Sequence, residues 1–139
     1  MKRVRTVSVL TAAIVYAAVI FAIGFALGAI RVTMTAPALG VPLATLIELP
    51  VMLAASWYLC ADVVGRFGVP AVAGDRLAMG AIAFAALMTL EFLLGVFGFR
   101  RSLSELVQGY REVGPEMGLL AQIAFAAFPA LQLRIATTQ

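Results

Sequence analysis

The sequence predicts an all-α integral membrane protein: a four-transmembrane-helix bundle, with a short amphipathic interfacial helix before the last span. Three observations carry this. Of 139 residues, 63% are apolar and 12% charged, where an ordinary soluble domain has roughly a quarter charged. A mean hydropathy of +1.05 leaves too few polar side chains to cover a water-exposed globule. Four long runs nearly free of charge, each about the length of a bilayer crossing, are separated by short segments that hold most of the arginines. The length allows one domain, residues 1–139.

Composition also bounds the chemistry. With no histidine and one cysteine, Cys60, a single chain can form no disulfide, no Cys/His zinc site and no CxxC redox pair. No metal site, no cofactor and no catalytic residue is assigned. A nucleophile with an adjacent base is not evident, and a non-enzymatic role is expected.

The first span covers 7–30, uncharged over 24 residues and longer than the roughly 20 needed to cross the hydrocarbon. The basic start Met1-Lys2-Arg3-Val4-Arg5 resembles a signal n-region. A cleavable signal has an apolar core of only about 7–15 residues, so an uncleaved anchor is expected. Thr33, Thr35, Pro37 and Gly40 read as a connection at the membrane surface. The second span, 42–64, contains Glu48, and Pro50 two residues on is expected to kink it. Gly68, Pro70 and Gly74 mark the next loop, between Arg66 and Arg76. The third span, 77–99, is interrupted only by Glu91.

Residues 100–116 are polar. Ser102 with Glu105 three residues on has the pattern of a helix-capping box. Leu103, Leu106, Val107 and Tyr110 follow at helical spacing, the mark of a helix lying in the interface. Gly114-Pro115 is read as its end. The last span, 117–133, closes at Arg134 and contains Pro129, whose missing N–H frees a carbonyl that a packed neighbour or water must satisfy.

Lys2, Arg3, Arg5, Arg66, Arg76 and Arg134 fall on the side holding both termini, against Arg31, Arg100, Arg101 and Arg111 on the other. Basic residues near helix ends are retained in the cytoplasm, so both termini are expected there. The basic residues are split between the two faces, a topology signal and not a nucleic-acid footprint. The expected partner is the lipid bilayer, with a homo-oligomer or a larger membrane complex left open.

The polar groups inside the spans are the candidate site. An ionisable residue at the bilayer centre costs about 2.5–3.5 kcal/mol on insertion scales, so it faces protein or water. At 1.5 Å per residue, Glu48 lies about 9 Å inward from Pro42, Glu91 about 13 Å inward from Arg100 and Gln122 about 10 Å inward from Pro115, all from one membrane side. Arg31 ends the first span on that side. Glu48, Glu91, Arg31 and Gln122 are therefore expected to converge as a ligand- or proton-binding cluster, the two acids on neighbouring antiparallel helices. An Arg31–carboxylate pair would keep one acid ionised while the other takes up a proton. The bland alternative has Arg31 reaching the headgroups and the acids bonding a backbone carbonyl, Thr45 or Thr89.

In the second span Thr45, Glu48, Met52, Ser56, Asp62 and Arg66 share one broad sector, which is expected to face the bundle. Asp62 and Arg66 form an i,i+4 pair better suited to anchoring than to chemistry. Trp57 and Tyr58 read as interfacial or lipid-facing aromatics. Gly24 and Gly28 have the small-xxx-small spacing of a close helix contact, a theme extended by Gly80, Gly95, Gly98, Gly118, Ala126 and Ala130.

The pattern Arg31, Pro37, Gly40, Glu48-Leu49-Pro50-Val51-Met52-Leu53, Ser56-Trp57, Glu91 and Gly118, Gln122, Pro129 resembles a group of uncharacterised small bacterial inner-membrane proteins. The resemblance implies four helices in a bacterial inner membrane and carries no activity. Small multidrug transporters are similar in length but carry a proton-binding glutamate in the first helix, where this chain has no acid. Two functions are expected to compete. One is a non-enzymatic membrane protein that binds a small or lipidic ligand or serves as an accessory subunit; the other is a proton-coupled small transporter or channel using an intramembrane glutamate.

Overall fold

The computed structural model describes residues 1–109 and 113–137. Helix α1, Lys2–Ile30, continues through a π-helical turn, Arg31–Thr35, into the short α2, Ala36–Leu39. Helix α3 is Val41–Arg66, and α4, Ala73–Leu93, again ends in a π-helical turn, Leu94–Gly98. The seven-residue α5, Leu103–Gly109, precedes α6, Val113–Thr137. Among the described residues there is no strand, and four helices are long and apolar enough to cross a membrane.

Two connections differ from the sequence reading. The segment 31–39, expected to be a loop, is helical, and the reversal is confined to Gly40 at φ +81°. The π turn allows this: the Ala36 N–H reaches back five residues to the Arg31 carbonyl, and the widened turn gives the Pro37 ring room that an α-helical turn denies it. Gly114 and Pro115, expected to end a helix, lie in the first turn of α6. A proline is tolerated there because first-turn N–H groups have no intrahelical acceptor.

The capping box forms as its spacing predicts. The Ser102 N–H donates to Glu105 Oε2 at 2.7 Å, and the Glu105 N–H donates to Ser102 Oγ at 3.3 Å. The side chains of Leu106 and Val107, and Tyr110 altogether, lie outside what the structure describes, so only the helix, and not its apolar face, is seen.

Around the bundle, α1 packs on α4 and α3, and α6 packs on α4 and α3. Helices α3 and α4 are therefore diagonal, a correction to the expectation that the two acid-bearing spans are neighbours. The fold is two hairpins of like layout, α1–α3 and α4–α6, laid side by side.

The interior is built from small residues. On α1, Val9, Ala12, Ala13, Tyr16, Ala17 and Ile20 are buried at helical spacing, in one cluster with Cys60 and Val63 of α3 and Met79, Ala83 and Leu87 of α4. Helices this apolar would gain little from water exclusion in a lipid setting, where close packing is what holds helices together. Gly80 supplies it: a Cβ there would stand 2.0 Å from the Ala126 carbonyl oxygen, so α4 touches α6 backbone to backbone. The Gly24/Gly28 motif does less. A Cβ on Gly24 would meet only the Met52 side chain of α3 at 3.4 Å, and one on Gly28 only Arg31 of its own helix at 3.8 Å. Gly28 is thus no interhelical contact, contrary to expectation.

Tyr16 reaches across the centre. Its ring stacks on Phe125 of α6 with centroids 4.2 Å apart, and its hydroxyl faces the carbonyls of Ser56 at 3.1 Å and Phe125 at 3.3 Å. The Phe125 carbonyl is the one that Pro129, four residues on, cannot serve with an N–H. The partner required by Pro129 is therefore a side chain of α1. Along the α3–α6 seam, Trp57 meets Phe128 edge-to-face at 5.2 Å, and Gln132 Nε2 donates to the Trp57 carbonyl at 2.7 Å. Tyr58 points outward, 74% exposed.

The end that carries the N-terminus is fastened by polar contacts. Arg5 of α1 pairs with Asp75 of α4, and the buried Arg76 donates from Nε to the Pro70 carbonyl at 3.1 Å, bracing the connection between α3 and α4.

Candidate functional site

The buried core thins toward the opposite end of the bundle, where the candidate residues stand. On α3, Thr45 and Ser56 are buried and Glu48 and Met52 half-buried, so this part of the expected sector does face the bundle. Asp62 and Arg66 do not: they form their i,i+4 ion pair at 2.7 Å in an exposed position, where such a contact contributes only tenths of a kcal/mol.

The four candidates meet as two couples. Arg31 Nη1 lies 3.1 Å from Glu48 Oε2 across the α1–α3 hairpin, the side chains 33% and 15% exposed. The contact is one of charge and not of an aimed hydrogen bond, for Glu48 Oε2 is buried with no hydrogen-bond partner. Gln122 Nε2 donates to Glu91 Oε1 at 2.6 Å across the α4–α6 hairpin, leaving Gln122 Oε1 buried without a partner. Each hairpin thus carries one polar couple bridging its own two arms, and the couples stand on opposite sides of the four-helix ring.

The local chain explains why these residues can meet. Arg31 opens the π-helical turn, in which the extra residue per turn rotates the following side chains. Glu48 lies two residues before Pro50 on α3. Thr45 and Thr89 are engaged elsewhere: their hydroxyls donate to the carbonyls of Val41 at 2.9 Å and Ala85 at 2.7 Å, four residues back on their own helices. The acids do not use them.

Beside the second couple, the α4–α6 seam opens into a groove of about 490 Å³ lined by Met88, Thr89, Phe92 and Leu119. Met88 and Leu119 are each three residues, one helical turn, before Glu91 and Gln122. Composition and spacing gave no signal for this groove. Among the described residues no group of three or more His, Cys, Asp or Glu gathers in a metal-holding arrangement. Comparisons with protein-family models, curated proteins and solved structures find no match.

Proposed function

We propose that this chain is a non-enzymatic integral membrane protein that holds a lipidic ligand in the α4–α6 groove, beside the Glu91–Gln122 couple. The groove is the observation that supports this over an accessory-subunit role. Of its lining residues Met88, Phe92 and Leu119 are apolar and Thr89 is the one polar member, a surface suited to an acyl chain. On the same seam, one helical turn from Leu119, Gln122 Oε1 is buried without a hydrogen-bond partner, which costs stability unless something serves it. Arg31 and Glu48 belong to the other hairpin and act in this reading as its architectural brace. The basic asymmetry of the sequence and its resemblance to small inner-membrane proteins support placement in a bacterial inner membrane with both termini cytoplasmic.

Native mass spectrometry of the detergent-extracted protein tests this. A lipid retained at one copy per chain, and released when Thr89→Trp fills the groove, is the expected result. A stoichiometric protein partner with no retained lipid would favour the accessory-subunit role. Proton flux in liposomes that is lost in Glu91→Gln would favour the transporter.

A further inference from the structure

The groove reading leaves the ligand's polar end open, and the chain beyond α4 addresses it. After the π-helical turn, Arg100 takes a left-handed backbone conformation, φ +52°, which a non-glycine residue adopts at a cost. The turn is pinned by the Arg101 N–H, which donates to the Gly95 carbonyl at 3.0 Å. It sets two adjacent exposed arginines at the mouth of the bundle, flanked by exposed Phe97, Phe99 and Leu103. The Arg101 guanidinium lies 5.8 Å from the centroid of the Phe99 ring. The nearby acid, Glu105, is engaged by the N–H and hydroxyl of Ser102 at 2.7 and 2.9 Å. Two cations among apolar side chains at a membrane boundary suit a group that is anionic and attached to hydrocarbon.

The spacing fits one such molecule. Arg100 is eight residues beyond Phe92 and twelve beyond Met88, past the end of α4 and its π-helical turn, so the arginines cap the arm that carries both groove residues. A hydrocarbon core of about 30 Å, with headgroup layers extending the bilayer to about 40–45 Å, puts a phosphate some 5–7 Å outside the acyl region. A phosphate at the level of the arginines therefore leaves its acyl chains running back along α4 toward the groove. We propose that the ligand is an anionic phospholipid of the surrounding bilayer, its phosphate held by Arg100 and Arg101 and one acyl chain lying in the groove of Met88, Phe92 and Leu119. This rests on the groove reading and gives it a substrate class. Guanidinium groups bind phosphate through paired N–H donors, which lysine cannot reproduce.

The test uses the full chain in nanodiscs of dioleoylphosphatidylglycerol or dioleoylphosphatidylcholine, followed by detergent exchange and native mass spectrometry. Retention of the phosphatidylglycerol alone is expected. Arg100→Gln with Arg101→Gln should weaken it about 30-fold, as two cations each contributing about 1 kcal/mol near an anionic surface imply. The double lysine variant should recover part of the loss, and Lys2→Gln with Arg3→Gln, at the other end of the bundle, should change nothing. Melting temperatures of all variants separate lost binding from lost folding. Equal retention of the two lipids, or equal loss in the Lys2/Arg3 variant, overturns the proposal. If both lipids are retained equally and Thr89→Trp releases both, the headgroup assignment falls while the groove reading stands. If neither lipid is retained, both fall.

Discussion

The Tyr16 hydroxyl lies 3.3 Å from the Phe125 carbonyl, the acceptor that Pro129 leaves without its helical donor. One proton serves two acceptors, since the Ser56 carbonyl is 3.1 Å away, so this single group ties α1 to both α3 and α6. Phe125 is buried, and a buried carbonyl left unserved has no water to turn to.

Tyr16→Phe should therefore destabilise the protein by about 1 kcal/mol, in the range measured for interhelical hydrogen bonds in membranes. Adding Pro129→Ala restores an N–H to the Phe125 carbonyl and should recover part of the loss. Thermal denaturation of the two singles and the double measures the coupling. Strictly additive effects would mean that the tyrosine does not serve that carbonyl.

Gly80→Ala should be among the most damaging small changes in the molecule. Its Cβ would stand 2.0 Å from the Ala126 carbonyl oxygen, and backbone cannot yield as a side chain can. A loss of about 1–3 kcal/mol is expected from overpacking. Gly28→Ala meets only the Arg31 side chain at 3.8 Å and should melt within a degree or two of the parent. The reverse order would show that the helices cross elsewhere.

Removing one member of the Arg31–Glu48 couple should cost more than removing both charges. Arg31→Gln leaves an 85%-buried carboxylate, the complement of its 15% exposure, without its cation, a loss of about 1–3 kcal/mol after allowing for the partial exposure of the arginine. Glu48→Gln is expected to be milder than Glu48→Leu, because an amide keeps a polar contact with Arg31 that leucine cannot make. Arg31→Gln with Glu48→Gln should fall between the parent and Arg31→Gln. A double variant worse than either single would show that the couple is not what holds these two side chains.

These contrasts also separate what the sequence reveals from what it hides. The four long apolar helices are legible as long uncharged runs, and the positions of Glu48, Glu91 and Gln122 along them follow from counting residues. Which acid meets which partner is not legible. Lipid is as apolar as the helix interior, so Ile14 facing outward and Ile20 facing inward look alike along the chain, and no strong amphipathic face orders the helices. That is why α3 and α4 were expected side by side and stand diagonally. Pro129 signalled that a donor was required; nothing local pointed to a tyrosine 113 residues earlier.

The cap of α5 should depend on pH. The Ser102 N–H and hydroxyl, with Arg101 nearby, hold the exposed Glu105 carboxyl below its usual value. A depressed value means that the cap's contribution is fully present above the ordinary carboxylate range near 4.3 and is lost as pH falls through the lower, folded value. The Ser102 amide resonance should shift with that titration and become insensitive to it in Glu105→Gln. A Ser102 amide indifferent to pH in the parent would show that the box does not form.

A lipid chain seated on the α4–α6 seam is read most directly by photolabelling. The protein is reconstituted with a phospholipid carrying a diazirine at mid-chain, irradiated, and mapped by peptide mass spectrometry. Labelling concentrated at Met88, Phe92 and Leu119, and competed by unlabelled lipid, is the predicted result. Labelling spread evenly over outward residues such as Leu10 and Ile14 of α1, which are about half exposed, with no competition, would contradict it.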